Sequence, residues 1–291
     1  AMSAGLLTEG RAVLHNVPDL IDIKTMSHLL RIIGARVDYE NGSMSIDSRD
    51  VCFSEAPYEL VNKMRASIYV LGPLLARLKK ARVSFPGGCA IGTRPIDLHL
   101  QAMETLGAEI SVDYGYINAK VKELKGADIY FTKSSVGATI NTLMAAVLAK
   151  GKTRIFNAAM EPEVDSTINL LNKMGAKING RGTTTLEIEG VEELIPIEMN
   201  MIPDRIEAGT FLIAGALSKN PVTVDNCEPA HLNAVLEKLR ECGCELEIED
   251  KAITVIPPFS LKPINLITLP YPGFPTDLQA QFTVLMSLAE G

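Results

Sequence analysis

The sequence predicts an α/β protein assembled from repeats of roughly 70 residues, with apolar helices inside and sheets outside. Three observations carry this reading. Amphipathic helix ends of one type recur at residues 29–35, 103–108, 170–176 and 236–243, and each closes on a glycine, at 34, 107, 175 and 243. A glycine there can take the left-handed conformation that ends a helix. Each is followed by a short alternating strand, such as Ala176-Lys177-Ile178-Asn179 or Cys244-Glu245-Leu246-Glu247-Ile248, the period-2 pattern of a half-buried strand. A second helix type, at 142–151 and 210–217, is almost continuously apolar and leads into the β-branched segments 153–157 and 222–226. Such a helix is buried on most sides.

Composition sets the limits. With 291 residues, 47% hydrophobic and 22% charged, the chain can fill two ordinary domains. A formal charge of −7 disfavours nucleic acid and acidic membrane surfaces as partners, so an anionic ligand must be met by local positive charge. Aromatics are 5% and tryptophan is absent, which removes the usual stacking platforms for bases. The five cysteines contain no C-x-x-C pair, and the four histidines, at 15, 28, 99 and 231, are scattered. Neither set predicts a metal site or a disulfide framework, and free thiols fit a reducing cytoplasm. No basic segment precedes an apolar run at the start, and no stretch approaches the roughly 20 apolar residues of a membrane span. Without a G-x-G-x-x-G, a P-loop or a metal triad, no cofactor is expected.

The chemistry concentrates in one segment, Phe85-Pro86-Gly87-Gly88-Cys89-Ala90-Ile91-Gly92-Thr93-Arg94-Pro95, followed at once by Ile96-Asp97-Leu98-His99. Glycines on both sides of Cys89 predict a loop that can carry a thiol over a bound substrate. Arg94 supplies a planar fork of donors for phosphate or carboxylate, and Asp97 follows within a helical turn. A free thiol, with a pKa of about 8.5, is mostly protonated at neutral pH and still able to give its proton away.

The whole PGGCxIGxRPxDLH string resembles the cysteine loop of the enolpyruvyl transferases, in the branch that acts on UDP-N-acetylglucosamine. Further strings similar to that family occur at Met64-Arg65-Ala66-Ser67, Lys133-Ser134-Ser135-Val136-Gly137-Ala138-Thr139, Pro203-Asp204-Arg205-Ile206-Glu207 and 274–282, so the resemblance runs from end to end. It implies an inside-out α/β barrel of repeated βαβαββ units, with two domains of three repeats each around a cleft. The implied reaction moves the enolpyruvyl group of phosphoenolpyruvate to the 3′-hydroxyl of UDP-N-acetylglucosamine with loss of phosphate, at the start of peptidoglycan precursor synthesis in the cytoplasm. The alternatives are a non-catalytic nucleotide-sugar-binding paralogue and the shikimate-pathway enolpyruvyl transferase, a branch that lacks the cysteine lid.

Residue by residue, the resemblance makes Cys89 the general acid and Asp277 the group that accepts the hydroxyl proton. Arg65 and Arg94 become contacts to substrate anions. Lys133, Ser134, Ser135 and Val136 hold the uridine diphosphate, and Arg94, Pro95, Ile96, Asp97 and Leu98 form the other wall of that site. Each has a plainer reading. Cys89 could pack in a core and Asp277 could cap a helix, where the dipole would make it an orienter as much as a base. Arg65, placed on an expected helix over 60–71, could be solvated; Lys133 to Val136 could be only a helix start, and His99 a structural histidine. Glu161, Asp204 and Glu207 are read as polar groups of a domain interface.

Phase completes the picture. Gly10, Gly151 and Gly291 fall in register, so the chain is expected to begin inside one helix and stop just after another, as an internal piece of a six-repeat protein. Residues 1–202 would then be a nearly whole cysteine-loop domain of about three repeats and 203–291 part of a second. Such a piece, lacking the family's early lysine and late arginines, is expected not to turn over by itself.

Overall fold

A computed structural model describes residues 1–56, 65–85 and 96–291. These form two compact units, Ala1–Met201 and Ile202–Gly291.

In the first unit, three sheets share one plan. The first takes β1 (Arg11–His15), β2 (Arg36–Glu40) and β3 (Ser43–Asp47). The second takes β4 (Glu55–Ala56), β5 (Lys80–Ser84), β6 (Glu109–Asp113) and β7 (Tyr116–Lys120); the third takes β8 (Asp128–Tyr130), β9 (Lys152–Phe156), β10 (Lys177–Asn179) and β11 (Thr185–Glu189). A late strand, β12 (Glu198–Asn200), returns to lie parallel to β1. The orders β12-β1-β3-β2, β4-β5-β7-β6 and β8-β9-β11-β10 are therefore the same: a parallel edge strand, then three antiparallel ones. Each parallel edge carries a cross-strand pair of opposite polarity. Arg82 Nη1 meets Glu55 Oε1 at 2.9 Å, Arg154 Nε and Nη2 grip Asp128 at 2.8 and 2.7 Å, and His15 Nε2 lies 2.6 Å from Glu198 Oε1. Exposed pairs of this kind add at most about 1 kcal/mol each. Their value is in fixing register.

Helices alternate between two roles. The amphipathic α1 (Ile21–Ile33), α3 (Asp97–Thr105) and α5 (Pro162–Lys173) follow β1, β5 and β9, and the glycines at 34, 107 and 175 that close them have φ of 109°, 100° and 104°, as the sequence predicts. Inside lie a fully buried 3-10 helix, Met2–Leu7, α2 (Leu71–Leu78) and α4 (Val136–Ala146). All nine residues from Ala138 to Ala146 are buried. The expected helix over 60–71 needs correction. Its described part is a 3-10 helix, Arg65–Val70, that passes into α2; Gly72-Pro73 fall in the first turn of α2, where proline's missing N–H costs no hydrogen bond. Residues 60–64 lie outside the described part.

Leu143, on α4, is fully buried. Leu143→Ala is expected to cost about 2–5 kcal/mol of stability, read as a lower urea midpoint with an unchanged slope. A midpoint within error of the parent would mean that α4 is not the centre of this core.

The second unit holds β13 (Val222–Asp225), β14 (Glu245–Ile248) and β15 (Ala252–Ile256) in the order β13-β15-β14, with α6 (Arg205–Ala216), α7 (Asn233–Glu241) and α8 (Gln279–Met286). Leu212, Leu236, Leu239, Ile253, Val255 and Phe282 form its core, and Phe274 meets Phe282 edge to face at 5.2 Å. The continuous apolarity of α6 predicts burial all round, yet Phe211 is 55% exposed. The described strands packed on α6 are those of a single sheet, β13 and β15, and they leave that side chain uncovered.

Candidate active site

Three segment starts meet at one end of the first unit. The 3-10 helix opens at Arg65, α3 opens at Asp97 with Ile96 in the cap position, and α4 opens at Val136 behind Ser135. The amides of a helix's first turn have no acceptor within the helix. Ser135 Oγ accepts that of Ala138 at 3.3 Å, and those before it are left to water or an anion, which the helix dipole favours. Lys133 and Asp97 are exposed, Ser134, Ser135 and Val136 half-buried, and Ile96 and Leu98 buried.

What brings the starts together is a buried polar junction. Asn141, on α4, donates through Nδ2 to Ile68 O at 3.0 Å and to His99 Nδ1 at 3.1 Å, and its Oδ1 accepts from Gly72 N at 2.8 Å. At Gly137 an added Cβ would lie 3.1 Å from His99 Nε2 and 3.5 Å from Tyr69 Oη. The elements that carry Arg65, Asp97 and Ser135 are therefore neighbours. His99 is buried, 6% exposed, and its bond to Asn141 fits the structural reading of that histidine. Asn141 was passed over in the sequence, although a lone amide in the run from Ala138 to Val147 was a usable signal.

Cys89, Arg94 and Pro95 lie outside the described residues, as does the side chain of Arg65. The chain around the cysteine segment is informative nonetheless. From β1 to α1 and from β9 to α5 the connection is five residues, 16–20 and 157–161; from β5 to α3 it is twelve, 85–96. Both short turns begin with an asparagine at positive φ, Asn16 at 57° and Asn157 at 58°. Asparagine tolerates that conformation better than most residues, and here each amide donates to the carbonyl just past the neighbouring parallel strand, Met201 O at 3.1 Å and Phe131 O at 3.0 Å. In the second repeat Phe85 stands after the strand instead and its N–H is held by Gly115 O at 2.7 Å. Between the same two elements the second repeat therefore has seven more residues than its sister repeats, and the cysteine falls among them in sequence.

In the second unit, Asp277 is exposed within a 3-10 turn, Thr276–Leu278, whose cap position is Pro275 and has no side-chain cap bond. The capping role considered for Asp277 is not the one it has. Capping falls to Asp204, whose Oδ1 accepts from Ile206 N at 2.8 Å and Glu207 N at 3.1 Å at the start of α6. One turn beyond Asp277, Gln281 Nε2 donates to Thr210 Oγ1 at 3.0 Å and ties α8 to α6. Glu161 occupies the cap position of α5 without a cap bond, and its Oε2 is buried with no hydrogen-bond partner among the described residues.

The remaining thiols differ in access. Cys52 is exposed; Cys227, Cys242 and Cys244 are buried. Burial pushes Cys227 up and raises Cys242 and Cys244 to about 11, which keeps them protonated and poor nucleophiles at neutral pH. Among the described residues no group of three or more His, Cys, Asp and Glu could hold a metal ion, and no helix is long and apolar enough to cross a membrane.

Comparison with known proteins gives a consistent result. Residues 1–291 match the family described as EPSP synthase (3-phosphoshikimate 1-carboxyvinyltransferase). The UDP-N-acetylglucosamine 1-carboxyvinyltransferase of Chloroherpeton thalassium is 57% identical over 293 residues, spanning 100% of this chain and 68% of that protein. Its counterpart from Desulfosudis oleivorans is 52% identical over 290 residues, 100% of this chain and 70% of that one. Among solved structures, the enolpyruvyl transferase NikO from Streptomyces tendae shares the fold with a TM-score of 0.89 at 23% identity, over 100% of this chain and 70% of its own. An EPSP synthase from Acinetobacter baumannii does so with a TM-score of 0.69 at 18% identity, over 91% and 64%. The fold of alternating sheets and inner helices and these matches agree: the chain belongs to the EPSP synthase (3-phosphoshikimate 1-carboxyvinyltransferase) family of enolpyruvyl transferases, in the branch of the UDP-N-acetylglucosamine 1-carboxyvinyltransferases.

Proposed function

We propose that the whole protein, the form to which the activity tests below apply, transfers the enolpyruvyl group of phosphoenolpyruvate to the 3′-hydroxyl of UDP-N-acetylglucosamine and releases phosphate, the first committed step of peptidoglycan precursor synthesis, in the cytoplasm. The observation that carries this reading is the twelve-residue connection between β5 and α3. In sequence this connection holds a glycine-flanked thiol and an arginine shortly before α3, in a chain more than half identical to named UDP-N-acetylglucosamine 1-carboxyvinyltransferases, which supports the reading.

The reaction runs by addition and then elimination. In the addition the Cys89 thiol gives its proton to C3 of phosphoenolpyruvate while the sugar 3′-oxygen bonds to C2 and its proton passes to Asp277. The resulting adduct carries a methyl group and the phosphate on one carbon. Loss of a methyl proton then restores the double bond as the C2–O bond to phosphate breaks, leaving an enol ether and free phosphate. Arg65 and Arg94 hold the carboxylate and phosphate charges through planar donor pairs. Lys133, Ser134, Ser135 and Val136 at the start of α4 take the diphosphate, with Pro95, Ile96, Asp97 and Leu98 as the facing wall.

Phosphate release that requires both phosphoenolpyruvate and UDP-N-acetylglucosamine is the direct test. Binding of the nucleotide sugar without release would favour a non-catalytic paralogue, and release with 3-phosphoshikimate as acceptor the shikimate branch. An electrophilic phosphonate that mimics phosphoenolpyruvate, fosfomycin, provides a second test. Peptide mapping is expected to place the adduct on Cys89, because three of the other thiols are buried and protonated and Cys52 has no glycine-rich loop around it in sequence. Adduct on Cys52 in place of Cys89 would overturn the assignment.

A further inference from the structure

We propose that Asn141 is the positioning residue of the nucleotide-sugar wall, one buried amide that fixes the spacing of the three segment starts bearing Arg65, Asp97 and Ser135. The inference rests on the function proposed above and adds a residue to it. Asn141 is 0% exposed, and an amide in such a place is costly unless every donor is met. Here both N–H groups are used, one on Ile68 O and one on His99 Nδ1, and the carbonyl takes Gly72 N–H. The orientation is unambiguous. Turned over, the amide would set its NH₂ against the Gly72 N–H and its oxygen against the Ile68 carbonyl. Because Asn141 donates to Nδ1, the His99 proton sits on Nε2, the atom nearest the start of α4 at Gly137.

The packing around this amide is built to bring backbones close. A Cβ at Gly72 would lie 2.4 Å from Asn141 O and 2.6 Å from its Oδ1, so α2 and α4 approach to a distance that only glycine allows. The segments joined, 68–72, 97–99 and 135–141, are remote in sequence, and no single helix could hold them in register. The repeat offers a parallel. Counting the first residue as one, Asn141 is sixth in α4 and Thr210 sixth in α6, and Gln281 is sixth from Thr276, where the 3-10 turn before α8 begins; the last two bond to each other at 3.0 Å. A polar sixth residue thus ties inner helices in both units. In the first unit it reaches a third element, α3, through His99. Satisfied buried networks specify one geometry rather than a set of near-equivalents, and a binding wall needs its groups held to about half an ångström.

The diphosphate lies away from the reacting carbons, so loosening its wall weakens ground state and transition state alike and appears in KM. Asn141→Ala is expected to raise KM for UDP-N-acetylglucosamine ten-fold or more with kcat changed less than three-fold, and to speed backbone amide exchange in 68–72 and 96–99. Asn141→Thr, which puts back the hydroxyl used at Thr210, is expected to fall between the two. Should Asn141→Ala fail to fold, Gly72→Ala, which leaves the amide but forces the helices apart, carries the same expectation. A fall in kcat at unchanged KM, or unchanged exchange in 96–99, would overturn the proposal. An unsubstituted protein that does not bind UDP-N-acetylglucosamine would overturn the functional reading itself, while the exchange rates would still decide whether the junction holds its three segments.

Discussion

Cys89→Ala is expected to lower kcat by about 10²–10⁴-fold, the range that a positioned general acid contributes, with KM for UDP-N-acetylglucosamine little changed. In the proposed addition step the thiol delivers a proton to C3, and alanine has none to give. Cys89→Asp separates the proton from the sulfur. A carboxylic acid can protonate the same carbon but does not form the thioether that a reactive phosphonate needs, so this variant is expected to turn over and to resist fosfomycin. Steady-state phosphate release with and without the inhibitor reads both outcomes. An inert Cys89→Asp enzyme would show that sulfur itself, through a covalent role, is required.

The second large effect is expected at Asp277. It lies inside a short 3-10 turn, exposed and without a capping bond among the described residues, a setting that suits the proton-accepting role proposed for it. Asp277→Ala is expected to reduce kcat by about 10²–10⁴-fold. Asp277→Asn keeps an oxygen that can orient the hydroxyl but cannot take its proton. If Asn retains most of the activity that Ala loses, orientation dominates; if both fall together, proton transfer does. Full activity in both variants would remove Asp277 from the mechanism.

Much of this architecture was legible in the sequence because its signals are local. Glycines at 34, 107, 175 and 243 mark helix ends, since each sits at a φ near 100° that other residues avoid. The inner helix 136–146 announced itself through apolarity, although its start, set by the Ser135 cap, lies six residues before the run that drew attention. Less visible was whatever depends on partners distant in the chain. Phe211 reads as core on its own helix and is exposed because too few elements surround it. Asp204 and Asp277 look alike in sequence, each within two residues after a proline; only the fold assigns capping to one and gives the other no cap bond. Asn141 is the clearest case, for nothing near residue 141 reveals that Gly72 and His99 will meet it. The cysteine segment stands out in the sequence as a string of residue types, and the greater length of its connection beside those at 16–20 and 157–161 emerges only from comparing repeats.

The pairing of β12 with β1 has a consequence for how the first unit comes apart. Val13 lies opposite Glu198 and His15 opposite Asn200, so the last strand of the unit completes the sheet of the first. A linear stack of repeats has ends, and ends fray independently of the middle. Here the sheets form a cycle in which no repeat is terminal, and the contact that closes it spans nearly the whole unit. Closing so long a loop is slow and cannot be rewarded until the intervening repeats are in place. Unfolding of this unit is therefore expected to be all-or-none, with injury to any one repeat felt in the other two.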